Sequence, residues 1–477
     1  MTRRLQSRRH DPASRAVAAR AGRTERLRRS ARVWRLTARN GARFVAHRVR
    51  RRASPASRRA ALDDAFAMRT ADDVARELGN MKGALMKAGQ LVSFVVESLP
   101  EPAQQALSQL YADAPPMSAD LASGVVRDEF GRDPEHLFLD WSPEPVAAAS
   151  IGQVHRAVTR DGRLVAVKVQ YPGVGTAIEA DLANADVLYR LVSSFTLKGL
   201  DTRALVDELR GRMRDELDYR IEAANVAELR AAFADHPFVS IPAVIPEHSG
   251  RTVLTTEWVE GLSWNEFLAV ATPEARRRAG ESIWRFAQHA ILRLGLFNGD
   301  PHPGNYRFSP HGDVTFLDFG MVKRWGPGEW ERLAPCMDAI IVERDPELLV
   351  AAMERSGFLR PDHGLDPRAV YDYVSSPYRP YLTDTFRFTR EFMRDTVQRI
   401  IDVNGPHATV IEAIDMPPSF VMLDRVVWGV SALLGKLDLE GPWRAMLLEY
   451  RVDAPPATDL GRQELAWRVA RGDASSR

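Results

Sequence analysis

The sequence predicts an α+β protein of two lobes, with helices first, a small β-rich unit next and a mostly helical unit last. Three observations carry this. Of 477 residues, 45% are apolar and 27% charged, the balance of a chain that folds around its own core, and the length allows two to three structural units. From about residue 145 to 170, apolar residues alternate or run together around Asp161-Gly162, a turn signal. The flanking text is spaced by threes and fours instead, and such an order suits helices and strands segregated into separate layers. The single cysteine, Cys336, excludes an internal disulfide and a Cys-rich zinc site. No run of 18 apolar residues exists, and the richest stretch, Val426 to Leu434, is too short to span a membrane.

Residues 1–60 read as a basic tail. They hold 20 Arg, no Lys and two acids, Asp11 and Glu25, a charge of +18. The remaining 417 residues hold 45 basic and 61 acidic side chains, a charge of −16, so the net +2 conceals a basic tail on an acidic body. Such a segment repels itself in a compact fold and is drawn to anionic surfaces by charge alone. Val33, Trp34, Leu36, Phe44 and Val45 could line one side of a short interfacial helix. A solvated tail and a membrane-surface anchor both fit, with nucleic acid a lesser third reading. The tail lacks the apolar core of a secretory signal.

Residues 61–115 read as helix ending at Ala114-Pro115-Pro116, and 120–140 as another short helix. A β-hairpin is predicted from Ile151 to Val158 and Leu164 to Val169. A long helix follows over about 201–233, with Val206, Leu209, Met213, Leu217, Ile221 and Ala224 as its buried stripe. Val253 to Val259 reads as a strand, 273–296 as a helix, and 297–327 as a loop-rich segment. Beyond 328 the text is mostly helical. The boundaries drawn from these shifts are 1–60, 61–140, 141–260 and 261–470.

The loop-rich segment carries the chemistry. In Gly299-Asp300-Pro301-His302-Pro303-Gly304-Asn305, an Asp precedes an Asn by five, and Asp318-Phe319-Gly320 follows the strand-like Val314 to Leu317. This is the catalytic half of the protein-kinase signature. Phosphoryl transfer needs a carboxylate near the attacking hydroxyl, a role for Asp300. It also needs hard oxygen ligands for magnesium, a role for Asn305 and Asp318. Upstream, Val165-Ala166-Val167-Lys168 matches the strand that presents a lysine to nucleotide phosphates, in a chain with only six lysines. That lysine needs a carboxylate, and the long helix offers Glu216, Asp218 and Glu222. Glu216 and Glu222 would lie about 120° apart on a continuous helix, whereas Asp218 and Glu222 would share a face. The choice stays open on spacing alone. Where a glycine-rich phosphate loop is expected, the chain has Ala147-Ala148-Ala149-Ser150-Ile151-Gly152. Each added Cβ removes positive-φ freedom, so the loop is expected to be stiffer.

With these residues in view, the chain resembles the UbiB/AarF family of atypical kinases. Four segments carry the resemblance: Lys87-Ala88-Gly89-Gln90, Ala147 to Ser150, Glu216-Leu217-Asp218, and Asp300 to Asn305 with Asp318-Phe319-Gly320. It is close over roughly 75–330 and looser beyond. It implies a two-lobed protein-kinase-like fold with an N-terminal helical extension across the active site. It implies that Lys87 pairs with Glu216 or Asp218, that Lys87 and Gln90 act with those acids as a regulatory set, and that Glu222 partners Lys168. ATP or ADP with Mg²⁺ is the implied cofactor, and ubiquinone or another isoprenoid lipid the implied context. The expected location is cytoplasmic and peripheral at the inner face of the membrane. Asn298 departs from the family's usual His two residues before the catalytic Asp, which bears on fine positioning of the loop. A small-molecule phosphotransferase and a nucleotide-binding scaffold are the alternatives, and a protein partner is unspecified.

Overall fold

The computed structural model describes residues 117–149, 151–175, 211, 214–360, 362–401, 405–415 and 418–472. The basic tail, the helix expected over 61–115, Lys87, Gln90 and Ser150 lie outside the described residues.

Helix α1 (Ala119–Phe130) leads into strands β1 (Phe138–Trp141), β2 (Ala147–Ala149), β3 (Gly152–Thr159) and β4 (Leu164–Gln170). Helix α2 (Tyr219–Ala232) and strands β5 (Val239–Ser240) and β6 (Val253–Glu257) follow. β1, β3, β4 and β6 form an antiparallel sheet in that order, and β2 pairs with the other end of β3. The predicted hairpin forms with Val158 opposite Leu164 and Val154 opposite Lys168. Alternation on β4 decides the rest. Val165, Val167 and Val169 are fully buried on one face, and period-two geometry sends Lys168 to the other. Ala122 and Val126 of α1, with Phe138, Trp141 and Ala157, complete that core. Each buried valine contributes roughly 1.5–3 kcal/mol of apolar transfer energy.

Two expectations are corrected here. The 120–140 stretch is not one helix. Gly131 ends α1 in the left-handed region at φ 70°, and Phe138–Trp141 is a strand whose core is shared with the sheet. The helix expected over 201–233 is not continuous either. Glu216–Asp218 forms a turn, and α2 starts afresh with Asp218 as N-cap, its carboxylate accepting from the Arg220 N–H. A short acidic side chain competes for the backbone donors of the next turn and so restarts the helix. The face of α2 that is buried is Glu222, Asn225, Val226 and Leu229. Ile221 is exposed, so the apolar stripe drawn through it does not hold.

The larger unit is mostly helical. Thr272 caps and Pro273 opens helix α3 (Pro273–His289), which is buried along most of its second half. It widens into a π-helical turn at Ala290–Leu294 and stops at Gly295. Four short strands follow: β7 (Leu296–Asn298), β8 (Tyr306–Phe308), β9 (Val314–Phe316) and β10 (Val322–Arg324). β7 pairs with β10, and β8 with β9, which in turn takes β5 as a parallel neighbour. These two ladders bracket two loops, 299–305 and 317–321, and hold them side by side. Gly299 N–H donates to Met321 O at 2.7 Å, and Leu317 N–H to Asn305 O at 2.9 Å. Later in the chain, helix α4 (Pro418–Leu437) packs Leu433, Leu434 and Leu437 into the main core beside α3. It contains the Val426–Leu434 stretch. Among the described residues no helix is long and apolar enough to cross a membrane. Helix α5 (Asp459–Ala470) closes the described chain and is anchored by Arg285 of α3, which is 1% exposed and bonded to Glu281, Glu449, Glu464 and Thr458.

Candidate active site

Lys168 projects from the cleft face of β4 into a pair of carboxylates. Its ammonium donates to Glu222 Oε1 and Oε2 at 3.0 and 2.9 Å, and to Asp318 Oδ2 at 3.3 Å. The three come from a strand, a helix and a loop separated by 54 and 150 residues. Beneath them lies Tyr219, whose ring centroid is 5.0 Å from the ammonium and whose buried hydroxyl has no hydrogen-bond partner. A cation over an aromatic face keeps its charge at low cost when water is scarce.

The electrostatics are those of two acids sharing one cation. Burial works to lower the Lys168 pKa, but Asp318 and Glu222 outweigh it and raise it well above the usual lysine value. Burial pushes Glu222 up to about 7; Lys168 pulls against this, and the neighbouring Asp318 charge adds to it. Two carboxylates thus compete for one ammonium, and burial favours the neutral form of Glu222.

Below this cluster the 299–305 loop is tied to itself. Asn305 Nδ2 donates to the Asp300 carbonyl at 2.9 Å and to Asp300 Oδ2 at 3.1 Å. Asn298 joins the two loops, donating from Nδ2 to Asp318 O at 2.6 Å and accepting from Asp300 N–H at 3.2 Å. The departure from the family's His thus leaves a residue that bridges both loops. Gly320 N–H donates to Asp318 Oδ1 at 3.0 Å, which fixes that carboxylate within its turn. The Asn305 amide nitrogen is a donor held by Asp300, and its Oδ1 is the atom able to ligate a cation. Asn305 and Asp318 then present oxygen donors, which suit Mg²⁺ and would leave coordination places for phosphate and water. Among the described residues no group of three or more His, Cys, Asp or Glu is arranged to hold a metal.

The alanine segment differs from expectation. Ala147–Ala149 is not a free loop but strand β2, paired with β3 through Ala147–Val154, Ala148–Gln153 and Ala149–Gly152. Ile151, just before β3, lies in a turn. Gly152 is required for another reason: a Cβ there would lie 2.2 Å from Val169 O on β4.

Of the three acids considered for Lys168, the structure brings Glu222 to it. Asp218 faces elsewhere. Its oxygens accept from Arg220 Nε and Nη2 at 2.8 and 2.5 Å, and Arg220 foremost holds its pKa low. Glu216 is buried in the turn before α2, and its carbonyl accepts from Gln170 at 3.4 Å. Two participants were not found from sequence. Asn225 Nδ2 donates to Phe319 O at 3.0 Å, tying α2 to the 318–320 turn; its spacing of three from Glu222 was the available signal. Arg425 of α4 donates from Nη2 to Asp300 Oδ1 at 3.0 Å and from Nε to Gly299 O at 2.7 Å. It lies 125 residues beyond Asp300, with no local signal.

Residues 109–353 match the ABC1 atypical kinase-like domain. The chain belongs to the ABC1 atypical kinase-like family, which includes the UbiB/AarF kinases. It is 32% identical over 302 residues to Protein ACTIVITY OF BC1 COMPLEX KINASE 1, chloroplastic, of Arabidopsis thaliana, covering 61% of this chain and 43% of that one. It is 29% identical over 290 residues to Probable protein kinase UbiB of Marinobacter nauticus, covering 58% and 52%. The chain thus spans about half the length of these curated relatives or less. The Mycobacterium tuberculosis protein Rv3197, solved in complex with erythromycin, is 34% identical, with a TM-score of 0.58 over 78% of this chain and 93% of that one. The ABC1 match spans the β-rich unit and both loops, so the kinase-like α+β fold expected from sequence is the fold observed.

Proposed function

We propose that this chain binds ATP or ADP with Mg²⁺ at the Lys168–Asp318 centre and transfers or hydrolyses the terminal phosphoryl group of ATP, in support of ubiquinone or other isoprenoid-lipid metabolism. The observation that carries the reading is the convergence of Lys168, Glu222 and Asp318 in one ion cluster, beside a loop that joins Asp300 to Asn305. Lys168 would hold nucleotide phosphates, with Glu222 fixing its direction. Asn305 and Asp318 would hold the metal, which supplies charge neutralisation on the phosphates when bound. Asp300, 27% exposed, would meet an acceptor hydroxyl or water. The Ala147–Ser150 segment would cover the phosphates. Lys87, Gln90, Glu216 and Asp218 would form the regulatory set, and the 1–60 tail would meet an anionic membrane at its inner face.

One comparison supports a small-molecule context: the mycobacterial relative was solved in complex with erythromycin. The test is magnesium-dependent ATP turnover by the purified protein, with and without anionic vesicles carrying quinone. Turnover that rises with the vesicles and disappears in Asp318→Asn is expected. Nucleotide binding without turnover in every condition would replace this reading with a non-catalytic scaffold.

A further inference from the structure

We propose that Arg425 is a positioning residue for Asp300, and that helix α4 is the element that holds the catalytic loop in its working geometry. The proposal rests on the phosphoryl-transfer reading above. Three observations lead to it. First, the guanidinium reaches two consecutive residues of the loop, Gly299 O at 2.7 Å and Asp300 Oδ1 at 3.0 Å. With Asn305 on Oδ2, both oxygens of Asp300 are fixed, one from each side. Second, burial is asymmetric: Arg425 is 8% exposed and Asp300 27%. The arginine therefore acts from behind, leaving the open face of the carboxylate to the cleft. Among the described residues, Asp300 is the only acid within ion-pair distance of Arg425. Third, Gly429 sits one turn along the same face of α4, and a Cβ there would come 2.2 Å from Pro301 Cγ. The helix can approach the loop this closely only because position 429 has no side chain. Arg425 and Gly429 are i,i+4 and share a face, so together they grip Gly299, Asp300 and Pro301.

The geometry has a catalytic consequence. A carboxylate that must meet an attacking hydroxyl gains its rate effect from being held within a fraction of an ångström, and a 1 Å misplacement costs about a hundredfold. A planar fork fixes a carboxylate where a flexible ammonium does not. Replacing the fork should therefore lower kcat and leave nucleotide affinity alone, because Lys168, Glu222 and Asp318 are untouched.

The experiment is a double-mutant cycle on magnesium-dependent ATP turnover, with nucleotide affinity measured in parallel. Arg425→Gln is expected to lower kcat by about ten- to a hundredfold, with ATP Kd within about twofold of the parent, as an effect confined to the loop requires. Arg425→Lys should recover part of the loss. In an Asp300→Asn background, Arg425→Gln should add nothing, because its effect acts through that carboxylate. Gly429→Ala keeps the guanidinium but forces the helix off Pro301, and should reproduce the kcat loss. Losses that multiply in the double mutant, a Kd that worsens as much as kcat, or unchanged turnover in Arg425→Gln would overturn the proposal. So would loss of folding in Arg425→Lys, which would mark the residue as structural. If Asp300→Asn alone keeps full turnover, the phosphoryl-transfer reading falls first, and the two failures are thereby distinguished.

Discussion

Glu222 and Glu464 are both buried beside a basic side chain, yet they are driven in opposite directions. Glu222 is pushed up to about 7, burial being the largest cause. For Glu464, burial also works upward, but His289, Arg285 and Tyr450 outweigh it and hold the carboxyl at about 2. The difference lies in donors. Glu464 accepts from Arg285 Nη1 at 3.2 Å, from the Tyr450 hydroxyl, and from His289 Nδ1 at 2.8 Å. Glu222 has one ammonium and shares it with Asp318. A satisfied cluster ties α3 to α5. The Lys168 cluster instead sets two carboxylates on one ammonium. A strongly shifted buried acid beside a shared cation is a candidate for function, whereas one held by several donors is a structural tie.

The largest expected effect tests the Lys168 cluster. Asp318→Asn should lower magnesium-dependent turnover about a hundredfold or more, as loss of a transition-state charge contact does. Yet the melting temperature should hold or rise, because a like charge beside Glu222 is removed. A fall in melting temperature with turnover kept would break the comparison. Next in size, Arg285→Met leaves three carboxylates without their fork and should cost about 3–5 kcal/mol in urea denaturation. Turnover per folded molecule should stay unchanged.

A smaller effect depends on pH. The folded pKa of Glu464 lies below the usual carboxylate value, so its stabilisation is present above about 4.5 and lost as pH falls toward about 2. Glu464→Gln should be less stable than the parent at pH 7, with the gap closing through that window in a pH series of melting curves. A constant gap would show that the carboxylate charge does not matter there. Smallest of all, Ala148→Gly should change the ratio of ATP to ADP affinity by less than about threefold, since β2 is already held by its pairing with β3 and strand glycine costs only about 0.5–1 kcal/mol. A large change would mean that the strand opens when nucleotide binds.

What was legible from sequence follows the range of each interaction. Lys168, Asp300, Asn305 and Asp318 could be singled out because the kinase signature sets those residue types at short spacings. The hairpin could be read because Val165, Val167 and Val169 alternate. The partner of Lys168 could not be chosen by helical period, since the wheel assumed a helix through Glu216 and Asp218 where the chain turns and restarts. Arg425 reaches Asp300 across 125 residues and Glu464 reaches Arg285 across 179. Such pairs leave no periodic trace, and an arginine in a helix looks the same from sequence whether it faces water or a catalytic loop. The buried face of α2 was misplaced because two of its members, Glu222 and Asn225, are polar.

The central claim is that the Lys168–Glu222–Asp318 cluster and the Asp300–Asn305 loop form one magnesium–nucleotide site. Its most direct test is ATP affinity of the parent and Asp318→Asn, each measured in Mg²⁺ and in EDTA. The account predicts that Mg²⁺ tightens binding by about tenfold or more in the parent, roughly 1.4 kcal/mol, and has no effect in the mutant. Equal affinity with and without Mg²⁺ in the parent, or magnesium dependence that survives Asp318→Asn, would contradict it.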